Sequence, residues 1–179
     1  MALTSRTVPR EFVDKLPEGM QLVHQNGSEY LVVEELFCPN GHSLMFDDVR
    51  IHDQPSIRIA VERPEGTGLA FIDAYWGSHS KLFTFLPDEI RRLERPEIYC
   101  PHCGVSLLVD RRCRNPSCGS TQSLKLTLPG ENNAIYVCAR LGCPDHEIAV
   151  HELSSRASRA VSGISFPSYS AEDEEFGSL

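Results

Sequence analysis

Apolar and polar residues alternate most clearly in the middle of the chain, where Ile57, Ile59 and Val61 are interleaved with Arg58, Ala60 and Glu62. That two-residue period is the signature of a strand with one buried face. The turn-forming run Pro64-Glu65-Gly66-Thr67-Gly68 ends it, and residues 69–75 and 81–86 supply two further strands around Trp76-Gly77-Ser78. Together they predict an antiparallel meander. Upstream, residues 20–24 and 30–37 flank Asn26-Gly27, whose tolerance of positive φ suits a two-residue hairpin loop. Downstream, residues 106–110, then Leu124, Leu126 and Leu128 alternating with Lys125 and Thr127, and then Ile135, Tyr136 and Val137 give three more short strands. Helix is expected only as a short piece at 9–16 and one or two turns at 87–93. The predicted class is mainly β, with a shared core drawn from Phe71, Ile72, Leu82, Phe83 and Phe85.

The same pattern divides the chain into an N-terminal segment (1–19), a β-rich domain (20–110), a second small module (111–153) and a tail (154–179). The tail is rich in serine, loses periodicity and finishes with Glu172-Asp173-Glu174-Glu175, so it is expected to be disordered and acidic.

Composition makes burial alone an uncomfortable basis for such a fold. The chain has 179 residues, 41% of them hydrophobic but only 8% aromatic, with 12 glycines and 12 prolines. Many turns and a modest core imply some further source of stability. No apolar run reaches the roughly 18 residues of a membrane span, and residues 1–12 lack an apolar signal core, so a cytoplasmic location is expected. The formal charge of -8 disfavours a protein whose main task is to grip phosphate backbones.

The seven cysteines supply the missing element. All fall in four compact clusters: Cys38-Pro39-Asn40-Gly41-His42; Cys100-Pro101-His102-Cys103-Gly104; Cys113 with Cys118-Gly119; and Cys138 with Cys143-Pro144-Asp145-His146. An odd count in close pairs beside proline and glycine favours metal over disulfides. Two ligands a few residues apart on a tight turn can present both side chains to one tetrahedral ion. Cys100 to Gly104 resembles the zinc knuckle, Cys-Pro-x-Cys-Gly, of zinc-ribbon and rubredoxin-like proteins, and the Cys38 cluster is similar to it with His42 in place of the second cysteine. The resemblance implies metal-binding turns in a small β-rich frame, with a zinc ribbon towards the C-terminus, and carries no activity with it.

The partition this favours joins Cys38, His42, Cys100 and Cys103 in a first site and Cys113, Cys118, Cys138 and Cys143 in a second. Two zinc ions are expected, with iron as the alternative metal. His146 rivals Cys143, because Cys143-Pro144-Asp145-His146 also has ligand-like spacing. The first site requires closing a long insert, whose entropic cost grows only logarithmically with length. His102 is expected to be a spacer, and His24, His52, His79 and His151 surface or structural residues. Two complete ligand sets leave no open position for a catalytic water. Neither His-x-Glu nor His-Glu-x-x-His occurs; the loop 75–79 is read as a plain hairpin loop and Asp47-Asp48 as a solvated strand end. The expected role is therefore a non-enzymatic accessory or adaptor protein that uses structural zinc and binds a protein partner. Nucleic-acid binding through Arg111, Arg112, Arg114 and Arg140, or rubredoxin-like iron and redox chemistry, are the alternatives.

Overall fold

The computed structural model describes residues 8–25, 27–78, 80–86 and 96–164. A short helix, α1 (Arg10–Asp14), precedes the hairpin of β1 (Met20–Gln25) and β2 (Ser28–Val33). The central sheet contains β3 (Met45–Ile51), β4 (Gln54–Arg63), β5 (Gly66–Ile72) and β6 (Lys81–Phe83) in that order. A fifth strand, β7 (Glu97–Tyr99), also pairs with β4. A second sheet runs β8 (Leu108–Asp110), β9 (Gln122–Thr127), β10 (Ala134–Cys138) and β11 (His146–Ala149) as a simple meander. The chain then forms α2 (Ser155–Ser162). The mainly β, antiparallel class is as predicted; the helical turns expected at 87–93 lie outside the described residues.

Alternation explains the long middle strand. In β4, Ile57, Ile59 and Val61 are buried, with Ile59 wholly enclosed. Strand β3 has no such period: Asp47 and Asp48 are exposed, and the register slips between Phe46 and Arg50 where β3 pairs with β4. A bulged edge strand with charges on it satisfies the backbone without an apolar repeat, which is why the sequence pattern does not reveal it. The β3–β4 turn is His52-Asp53, with φ of 50° and 64°, the left-handed geometry of a tight hairpin.

The core is larger than the predicted cluster and centred elsewhere. Leu31, Leu36, Leu44, Ile59, Ile98, Leu107, Leu124, Leu126 and Ile148 are all within one buried group that spans both sheets. Phe71 and Ile72 are buried as expected, but Leu82 is 49% exposed, because β6 is a sheet edge. Phe37, in the segment between β2 and β3, exchanges backbone hydrogen bonds of 2.8 and 3.0 Å with Thr127 of β9. Among the described residues, no helix is long and apolar enough to cross a membrane.

Of the tail expected to be disordered, residues 154–164 are folded around α2, and residues 165–179 lie outside the described residues. Ser154 caps α2 by accepting from the Ala157 N–H, and its own N–H and hydroxyl reach Glu11 of α1. Ser158 donates to the Ile148 carbonyl at 2.6 Å, while the Ser162 hydroxyl accepts from the Ile148 N–H at 3.0 Å. Serines four apart on the helix thus satisfy the outer edge of β11. Ala157, Val161 and Ile164 complete the apolar contact, and Trp76 Nε1 donates to the Val161 carbonyl at 2.8 Å. Serine enrichment, which reads as disorder in isolation, here serves an edge strand.

Two stability outcomes follow from this packing. Deleting residues 154–179 is expected to cost about 3–5 kcal/mol in urea denaturation, from the apolar side chains of α2 and those they cover. Gly19 has φ +88°, and an added Cβ would lie 2.6 Å from Pro129 Cδ. Gly19→Ala is therefore expected to lose about 1–3 kcal/mol by the same measurement, from backbone strain and the clash combined.

Candidate metal centres

The first cluster is assembled by one edge of β4. Strand β5 pairs with the opposite edge from Ile57 to Arg63, whereas this edge is shared: β3 pairs at Ile57 and below, β7 at Ala60 and above. The Cys38–His42 turn lies just before β3 and the Cys100–Cys103 turn just after β7. Both turns are consequently delivered to the same point on β4, beside Arg58, whose N–H donates to the Leu44 carbonyl at 2.7 Å. The long insert closes because it is sheet.

Each turn is a small hydrogen-bonded loop. Cys38 N–H donates to the His42 carbonyl and Gly41 N–H to the Cys38 carbonyl, at 3.0 and 2.9 Å. The Cys100 turn repeats this with Val105 and Gly104, both at 2.9 Å. Gly104 takes φ +71°, which lets the chain reverse immediately after Cys103. The bridges Phe37 to Ser43 and Tyr99 to Ser106 then close the two bases alike.

The second cluster needs no shared edge. In an antiparallel meander, alternate loops emerge at the same end of the sheet, so the β8–β9 loop carrying Cys113 and Cys118 meets the β10–β11 loop after Cys138. Cys113 N–H bonds to the Ser120 carbonyl and Cys143 N–H to the Arg140 carbonyl, at 2.9 and 2.8 Å.

The structure brings together both predicted quartets: Cys38, His42, Cys100 and Cys103 in one, Cys113, Cys118, Cys138 and Cys143 in the other. Within each, the ligand atoms all lie within 4.8 Å of one another, and each quartet can hold a metal ion. The separations fit tetrahedral coordination. Metal–sulfur bonds of about 2.3 Å and metal–nitrogen bonds of about 2.0–2.1 Å give tetrahedral edges of about 3.8 Å between sulfurs and about 3.6 Å between sulfur and nitrogen. Here Cys38 and Cys103 Sγ are 3.9 Å apart, Cys113 and Cys143 3.7 Å, and Cys118 and Cys138 3.6 Å. His42 Nδ1 stands 3.6 Å from Cys38 Sγ. All seven cysteines are free thiols, far beyond the roughly 2.05 Å of a disulfide.

His146 is not a member of the second quartet. It pairs with Val137 in the sheet, its Nδ1 lies 2.9 Å from the Pro144 carbonyl, and its Nε2 lies 3.1 Å from the Ile164 carbonyl. Its ring meets Trp76 edge to face at 4.6 Å. Burial there pushes the imidazole below its usual value, against the two carbonyls, which favour protonation. His146 fastens the end of α2 and leaves the fourth position to Cys143.

Donors around the sulfurs were not anticipated. Asn40 Nδ2 donates to Cys103 Sγ at 3.4 Å, and Asn115 Nδ2 points at Cys143 Sγ at 3.8 Å. Each asparagine reaches across from the facing turn. The signal was present as a shared Cys-x-Asn at Cys38 and Cys113. Backbone N–H groups of His42, His102 and Asn115 add contacts of 3.4 Å to Cys38, Cys100 and Cys113. The Val105 backbone N–H outweighs modest desolvation at Cys103 and, with Asn40, brings that thiol down to about 6. Desolvation instead pushes Cys138 up to about 11. A cation in the second quartet would remove that penalty, since thiolates there face one another in a buried space.

The two quartets differ in access. Cys113, Cys138 and Cys143 are buried and Cys118 is half-buried, whereas Cys103 and His42 are exposed at the first site. His102 stacks on His42 at 5.8 Å and accepts from the Arg58 guanidinium at 3.1 Å, so it braces His42 from outside the quartet. His24 and His151 are exposed, His52 bonds to buried Asp73 at 2.7 Å, and His79 lies outside the described residues. Ser78 also donates to Asp73, at 2.6 Å, so its hydroxyl proton is directed at a carboxylate.

Three of the arginines considered for nucleic-acid binding have internal partners. Arg111 pairs with Glu147 at 2.8 Å and lies over the Tyr136 ring, Arg114 pairs with Asp145 at 3.0 Å, and Arg140 donates to the Cys118 carbonyl at 2.7 Å. Asp145 also accepts from Cys113. These charges brace the second site.

No family model, curated protein or solved structure matches the chain. The arrangement of donors therefore carries the functional reading by itself.

Substitution separates the rival ligands. Cys143→Ser is expected to lower bound metal from two ions per chain to one, while His146→Gln keeps both and lowers thermal stability through the loosened α2. Metal content and a melting curve on each variant check this.

Proposed function

We propose that the chain is a zinc-binding accessory or adaptor protein, in which two structural zinc ions fix the loops of a β-rich domain that engages a protein partner. The observation that carries the metal part is the donor geometry: two complete quartets at tetrahedral spacing. Four protein ligands per ion close the coordination sphere and suit a structural role rather than Lewis-acid catalysis. Zinc is preferred over iron because one quartet contains an imidazole and because the gaps at Cys113 and Cys138 depart from the rubredoxin pattern.

The partner follows from charge. The chain carries -8, and a three-thiolate and a four-thiolate zinc site would contribute about -1 and -2 respectively. A basic protein surface is the natural complement. The internal engagement of Arg111, Arg114 and Arg140 weighs against nucleic acid as the ligand. A cytoplasmic setting, reducing enough to keep seven thiols available, agrees with this reading.

Elemental analysis of protein purified without added metal is expected to find two zinc ions per chain. A strong chelator should then unfold it, because structural zinc supplies on the order of 10 kcal/mol of folding free energy. A red, iron-containing protein, or a fold indifferent to chelation, contradicts the zinc reading. For the adaptor role, affinity capture from the native cell should retain a defined basic protein; its absence from captures with both the full chain and a chain ending at Ile164 contradicts it.

A further inference from the structure

The two quartets contain similar donors but meet solvent differently, and this difference has a chemical consequence. At the second site the sulfurs of Cys113, Cys138 and Cys143 belong to buried residues, and the Arg114–Asp145 pair lies across the loop from which Cys113 projects. At the first site Cys38 and Cys100 are buried, but Cys103 is exposed, on a turn whose neighbours His102 and Gly104 are exposed as well. The fourth donor there, His42, is also exposed, and a neutral imidazole holds a cation with less charge than a thiolate does. Cys103 Sγ also stands 3.9 Å from Cys38 Sγ, a residue of the opposite turn.

We propose that Cys103 is a modification site for small two-electron oxidants of the hydroperoxide class, and that its oxidation links it to Cys38 and releases the metal of the first site alone. This rests on the metal reading given above. In the first step the Cys103 thiolate attacks one peroxide oxygen; an S–O bond forms, the O–O bond breaks, and the departing oxygen takes a proton to leave as water or alcohol. In the second step the Cys38 thiolate displaces hydroxide from the Cys103 sulfenic acid; an S–S bond forms, the S–O bond breaks, and hydroxide takes a proton to leave as water. Two thiolates lose two electrons in total, the peroxide gains them, and the metal departs in its original oxidation state with two of its four ligands gone. The new bond joins the same two turns that the ion joined, so β3 and β7 stay beside β4 after the metal has left. The second ion is retained, because three of its four thiolates are buried and the fourth, Cys118, is half-buried where Cys103 is exposed.

The experiment uses the full chain as purified, with zinc counted before any treatment. Hydrogen peroxide is added in slight excess, released zinc is followed with a chromogenic chelator, and the products are mapped by tryptic mass spectrometry. The expected result is release of one ion ~10-fold faster than the other, as thiolate access dictates. A crosslinked peptide pair containing Cys38 and Cys103 should accumulate at the same rate, with Cys113, Cys118, Cys138 and Cys143 still reduced. Asn40→Ala removes the donor to Cys103 without touching a ligand, and is expected to accelerate the fast phase. Two zinc ions lost in parallel, or early oxidation of the second quartet, overturns this proposal and leaves the metal reading standing. Fewer than two ions before oxidant, with the first quartet empty, overturns both.

Discussion

One edge of one strand carries the first half of this architecture. β4 is paired by β5 from Ile57 to Arg63, and its other edge is divided between β3 and β7. Because β3 runs out of the Cys38–His42 turn and β7 into the Cys100–Cys103 turn, two loops far apart in sequence arrive side by side. The entropy of closing that insert is borne by the sheet's backbone hydrogen bonds and by the burial of Ile57, Ile59, Val61 and Ile98. The sheet thereby brings the four donors within reach of a single ion.

The second site reaches the same geometry more simply. Alternate loops of a four-stranded meander share an end, so Cys113, Cys118, Cys138 and Cys143 converge without any long-range pairing. Around it the charged groups are spent on one another: Arg114 on Asp145, Arg111 on Glu147. Phe37 and Thr127 exchange hydrogen bonds between the segment entering the first site and β9 of the second sheet. Loss of either quartet is thus felt through one continuous apolar core rather than in an isolated lobe.

Both quartets were legible in the sequence, because clustered cysteine and histidine spacing reports a local constraint that survives any fold. The strands with strict alternation, β4 and β9, were legible for the same reason. Strand β3 was hidden by its bulge and its exposed Asp47 and Asp48, and β11 by its brevity. The helix α2 was misread because Ser154, Ser158 and Ser162 resemble a solvated tail until β11 provides an edge for them to cap. The hairpin loop expected between β5 and β6 is also a buried brace, with Trp76 holding the Val161 carbonyl and the His146 ring. Long-range partners of this kind have no local signature. His146 illustrates the point: its spacing suited a ligand, and only the position of Ile164 shows where its second nitrogen goes.

The central claim, two closed tetrahedral sites with seven sulfurs and one nitrogen between them, is tested most directly by X-ray absorption at the zinc edge on the intact protein. The account predicts a first shell dominated by sulfur at about 2.3 Å, with a minor imidazole contribution at about 2.0 Å and no oxygen. A shell containing a water oxygen, or sulfur too sparse for seven thiolates, would contradict it and reopen one site to chemistry.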